Sequence, residues 1–73
     1  MSQSGEKATI RFDQFLKWMG LVESGGEAKI RIQGGEVTLN GVVETRRSKK
    51  LHPGDRVGLD GIEHIVAIDP DDH

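Results

Sequence analysis

Two apolar patterns of different period, one following the other, predict an α+β fold with helices first and strands after. Phe12, Phe15, Leu16 and Met19 recur at i, i+3, i+4 and i+7, the single stripe of an amphipathic helix. From Glu36 onward apolar and polar residues alternate instead, and Asn40-Gly41 and Asp60-Gly61 supply the tight turns that strands need.

Taken in order, Met1 to Glu6 is short, polar and terminal, and is expected to be a disordered leader before a domain spanning residues 7–68. Lys7 to Ile10 is expected to form a brief strand. The first helix spans Arg11 to Met19 and stops at Gly20, glycine being common just past a helix C-terminus. Ser24 followed three residues later by Glu27 is a capping box, so a second helix is expected from about Gly25 to Gln33. Ala28 and Ile32 define its buried stripe and Ile30 falls off that line, while Gly34-Gly35 supplies the stop. Val37 and Leu39 form a strand that Asn40-Gly41 turns back into Val42-Val43. Thr45 to Lys50 is polar and basic and is expected to be a loop. Pro53-Gly54-Asp55 is a turn, Val57 to Leu59 a strand, and Ile62 to Ile68 the last strand. Asp69 to His73 is expected to be a frayed acidic tail.

At 73 residues there is room for one domain with a thin core, which argues against a deep catalytic pocket. The absence of cysteine excludes disulfides, thiolate chemistry and Cys-based zinc sites. No apolar run approaches the roughly 20 residues of a membrane span, and no apolar leader suggests export. A cytoplasmic protein is the expectation.

The net charge of −2 hides a polarised distribution. Residues 29–56 carry Lys29, Arg31, Arg46, Arg47, Lys49, Lys50 and Arg56 against Glu36, Glu44 and Asp55. Residues 57–73 carry Asp60, Glu63, Asp69, Asp71 and Asp72 with no Lys or Arg at all. Such asymmetry bears on partners, although a merely solvated surface is the alternative reading. If the second helix and the hairpin share a layer, Lys29 and Arg31 would converge with the cations of Thr45–Lys50. Arg and Lys together suit phosphate, the one as a planar fork and the other as a mobile point charge. The start of the second helix adds N–H groups and a bare backbone at Gly25-Gly26, with the Glu27 carboxylate as a complication.

These residues also carry a family resemblance. Ile10-Arg11-Phe12-Asp13-Gln14-Phe15-Leu16-Lys17, Gly20-Leu21-Val22, Ser24 through Lys29, and Gly35-Glu36-Val37-Thr38-Leu39-Asn40-Gly41 together resemble the S4-type RNA-binding domain, or αL motif. Glu44-Thr45-Arg46-Arg47 and Lys49-Lys50-Leu51-His52-Pro53-Gly54-Asp55-Arg56-Val57 extend the likeness over about residues 10–60. The resemblance implies two helices packed on a small, mostly antiparallel sheet. It implies binding to structured RNA, ribosomal or transfer RNA being the usual partners, with the ribosome or its precursor as a candidate assembly. With nothing attached, the chain is similar to the stand-alone bacterial members. Carried over by position, the RNA contacts are Arg11, Ser24, Lys29, Arg46, Arg47 and Lys49, with the Asn40-Gly41 turn shaping the surface between them. Arg31 and Lys50 join that set from the charge pattern. One departure stands out: many members place a cation directly after the serine, where this chain has Gly25.

Trp18 lies off the first helix's stripe, and packing over the core's edge is favoured over stacking on a base. The two Phe residues sit on that stripe, so no aromatic platform is expected. His52, His64 and His73 lack a compact metal spacing, and neither a metal nor a cofactor is expected. Ser24 and Ser48 have no base arranged around them, so no catalytic residue is assigned. The alternative to a monomeric RNA binder is a protein-interaction module of the same fold with little RNA affinity, anchored by Trp18.

Overall fold

The computed structural model describes residues 9–67, so the expected leader and acidic tail lie outside the described residues. The element order is β1 (Ile10–Arg11), α1 (Phe12–Trp18), α2 (Gly25–Gln33), β2 (Val37–Leu39), β3 (Val42–Val43), β4 (Lys50–Leu51), β5 (Arg56–Leu59) and β6 (Ile62–Ile65). Two helices and small antiparallel sheets make this an α+β fold, as expected.

The strands divide into a two-stranded pair, β1-β4, and a four-stranded sheet ordered β3-β2-β5-β6, every pairing antiparallel. Both tight turns form two-residue hairpin loops, joining Leu39 to Val42 and Leu59 to Ile62. Asn40 and Gly41 take φ of 53° and 87°, and Asp60 and Gly61 take 55° and 79°. Positive φ at both central residues is the type I′ signature, whose twist matches that of the flanking strands.

Phe12, Phe15 and Leu16 from α1, Ala28 and Ile32 from α2, and Val37, Leu51 and Val57 from the strands are wholly buried in one cluster. The α2 stripe is the expected one, and Ile30 lies outside it, exposed. Two boundaries differ from expectation at the first helix. Arg11 is extended (φ −72°, ψ 152°), ending β1 and preceding α1. Met19 is the C-cap and is exposed, because the helix ends one residue before the stripe would turn it inward. Lys50 also departs from the expected loop: it stands in β4, paired with Arg11, while Leu51 beside it enters the core. The final strand ends at Ile65, and Val66 is buried beyond it by exchanging backbone hydrogen bonds with the 54–55 turn.

Candidate functional site

The basic segment after β3 is bound along its length to the start of the first helix. The β1-β4 pairing sets Ile10 opposite Leu51 and Arg11 opposite Lys50. Where β1 becomes α1, the Phe12 N–H donates to the Lys49 carbonyl at 2.8 Å and the Asp13 N–H to the Arg47 carbonyl at 3.1 Å. The first N–H groups of a helix have no partner within it, and here the basic segment supplies two. The Lys49 N–H in turn donates to the Arg46 carbonyl at 3.2 Å. Buried Leu51 anchors the far end. Five cations, Arg11, Arg46, Arg47, Lys49 and Lys50, are thereby carried by two adjacent backbone segments that contribute two carboxylates, Asp13 and Glu44.

Those carboxylates orient the arginines. Asp13 is the one buried charged residue among the described residues, at 8 % exposure. Its Oδ2 accepts from the Arg11 guanidinium at 3.0 Å and lies 3.9 Å from that of Arg47. Glu44 accepts from the Arg46 side chain at 3.0 and 3.2 Å and from the Arg46 backbone N–H at 3.0 Å. These bonds, aided by the nearby Lys49 charge, hold the Glu44 carboxyl at a pKa of about 2 and push that of Arg46 up. A bidentate, charge-assisted pair of this kind fixes the guanidinium plane. Neither Asp13 nor Glu44 was singled out from the sequence. Their signal was a carboxylate two residues from an arginine, Arg11/Asp13 and Glu44/Arg46.

The remaining candidate residues are placed differently. Ser24 caps α2, its Oγ accepting from the Glu27 N–H at 3.1 Å, while Glu27 bends back to the Glu23 N–H at 2.8 Å. Lys29 is exposed on α2 and pairs with no carboxylate among the described residues. Arg31 is drawn to Glu36 at 3.0 Å and Asp60 at 2.8 Å, and its pKa rises chiefly through the Glu36 hydrogen bond. Its charge is therefore spent tying α2 to the β5-β6 turn. Asn40 is occupied too: its side chain accepts from the Arg56 N–H at 2.9 Å and donates to Asp55 at 3.3 Å. Asp55 accepts from the His52 N–H at 2.8 Å, so the Asn40-Gly41 turn is laced to the chain just beyond β4. The structure thus gathers Arg11, Arg46, Arg47, Lys49 and Lys50, while Ser24, Arg31 and Asn40 hold the scaffold.

No group of three or more His, Asp or Glu side chains among the described residues is arranged to hold a metal ion. No helix among them is long and apolar enough to cross a membrane.

Residues 4–67 match the S4 domain. The chain belongs to the S4-domain family. Within that family it is 39 % identical over 64 residues to YbcJ of Escherichia coli (strain K12), a protein named for RNA binding; the match covers 88 % of this chain and 89 % of that one. It is 40 % identical over 59 residues to RlbA of Bacillus subtilis (strain 168), named for ribosome maturation, covering 81 % and 83 % of the two chains. Among solved structures, the S4 fold seen here is similar to that of Vibrio cholerae Heat Shock Protein 15, described as trimeric. The TM-score is 0.74 at 22 % identity, over 86 % of this chain and 68 % of the other.

Proposed function

We propose that this S4-domain protein binds structured RNA, ribosomal or transfer RNA, through backbone phosphates and shape, and acts by binding rather than catalysis. The observation that carries the reading is the backbone ladder between residues 10–13 and 47–51, which brings Arg11 beside Arg47, Lys49 and Lys50, with Arg46 next in the chain. Arg11, Arg46 and Arg47, held by the Asp13 and Glu44 carboxylates, have already lost part of their freedom, so phosphate binding costs less entropy at these side chains. A-form RNA presents chiefly phosphates and a shallow minor groove, which suits a cationic edge without an aromatic sheet. Arg11, Arg46, Arg47, Lys49 and Lys50 are the principal contacts in this reading. Exposed Lys29 is a further contact, and Ser24, Arg31, Asn40 and Gly41 shape the surface. The names of YbcJ and RlbA support the same direction; in this reading the protein acts as a monomer in the cytoplasm, with the ribosome or its precursor as its setting.

Retention of a structured ribosomal RNA fragment by the wild type, and its loss in a folded variant with Arg46, Arg47, Lys49 and Lys50 all changed to Glu, is the expected result. Equal weak retention by both proteins would shift the reading to a protein-interaction module.

A further inference from the structure

Trp18 is the chain's sole tryptophan and is 61 % exposed. Its ring meets buried Phe15 edge-on, with centroids 6.2 Å apart and planes at 62°, so the core sets its orientation while most of its surface stays open. Thr9, Ile10, Gln14, Lys17 and Trp18 line a shallow, largely apolar groove beside it. Gln14, Lys17 and Trp18 share one face of α1, being spaced i, i+3 and i+4. Ile10 supplies the link to the site already described: the next residue is Arg11, paired across the strands with Lys50. Groove and cationic edge therefore share a two-residue strand.

That combination is the chemistry of a nucleotide seat. An indole offers a surface for a base to stack on, a carboxamide can pair with a base edge, and the Lys17 ammonium in the groove offers a phosphate a partner. An apolar peptide partner would use the aromatic and leave the Lys17 charge without a partner. We propose that the Trp18 groove receives one unpaired nucleobase, of either ring size, from an RNA whose adjoining phosphates lie on Arg11 and Lys50. The proposal rests on the RNA-binding reading and sharpens it: the preferred target is a duplex interrupted by an extruded nucleotide. Bases stacked within a continuous helix have no free face to offer.

The test uses two RNA hairpins identical except for one bulged nucleotide, titrated against the full chain and against Trp18→Leu and Trp18→Phe. Each variant is first checked for native circular dichroism and melting. Wild type should bind the bulged hairpin about tenfold more tightly, the weight of one stacked base. Trp18 fluorescence should be quenched by the bulged hairpin and little changed by the continuous one. Trp18→Leu should erase the difference while leaving affinity for the continuous hairpin intact, and Trp18→Phe should keep most of it. Equal wild-type affinity for the two hairpins, absent quenching, or equal losses on both in Trp18→Leu would overturn the proposal. Should neither hairpin bind, the RNA reading falls with it, and the groove passes to a protein partner.

Discussion

Asp13 grips Arg47 at two points: its backbone N–H donates to the Arg47 carbonyl at 3.1 Å, and its carboxylate lies 3.9 Å from the Arg47 guanidinium. The same carboxylate oxygen accepts from Arg11 at 3.0 Å. One buried acid therefore aims two cations from segments 34 or more positions apart in sequence, and the helix that carries it registers the basic segment. In this account the acid strengthens RNA binding although its charge opposes it.

Changing Asp13→Asn tests that sign. Net charge rises by one, and charge counting alone predicts tighter RNA binding. Loss of the orienting charge predicts the reverse, a weakening of about fivefold, the entropy of one or two long side chains that must now be ordered on binding. Filter binding at a single salt concentration decides between them, with circular dichroism to confirm the fold.

The Glu44–Arg46 pair makes a pH prediction. The folded-state carboxyl titrates at about 2, below its ordinary 4.5, because the Arg46 side chain and backbone donate to it. A depressed pKa means the pair's stabilisation is fully present above the ordinary value and lost as pH falls from there through about 2. Between pH 5 and 8 this pair should contribute no pH dependence to RNA affinity. A carboxyl carbon NMR titration should place Glu44 near 2, moving toward 4.5 in Arg46→Ala.

Gly58 faces Thr38 across β5 and β2, and a Cβ added there would collide with the Thr38 hydroxyl. Gly58→Ala should cost about 1–3 kcal/mol through strain in a packed sheet. In a domain of this size each kcal/mol lowers the melting temperature by about 4–8 °C, which calorimetry would register. Thr38→Ala in the same chain, which removes the colliding hydroxyl and keeps the Cβ, should restore part of the loss.

Gly25 opens α2, and a side chain added there meets nothing within 4 Å. Gly25→Arg places a cation directly after the capping Ser24. It should tighten RNA binding severalfold and steepen its salt dependence by nearly one unit. A small stability cost is expected from a positive charge in the first turn of a helix. Unchanged affinity and slope would place this end of α2 away from the RNA.

What could be read from sequence depended on the range of the interactions. The Ser24 cap, the Ala28/Ile32 stripe and the two type I′ turns are set by residues within a few positions of each other, and all were legible. The β1-β4 pair was not, because two-residue strands carry no alternation, and Lys50 becomes a strand residue only by meeting Arg11. The need for glycine at 58 likewise arises from a neighbour 20 positions away, Thr38. Within the candidate site, the cations themselves were visible, but their division into aimed and spent charges was not. Arg31 reads like Arg47 in sequence, and only the fold brings Asp60 to the one and Asp13 to the other.

In the proposed reading, a cationic edge ordered by the 10–13 and 47–51 ladder holds RNA by its phosphates. The most direct test is the salt dependence of binding to a structured ribosomal RNA fragment, in wild type and in single Arg11→Gln, Arg47→Gln, Lys49→Gln and Lys50→Gln variants. With four to six phosphates neutralised, log K should fall against log salt with a slope of about −3 to −5, and each variant should lose nearly one unit of it. A wild-type slope near zero, or slopes unchanged in all four variants, would contradict the account.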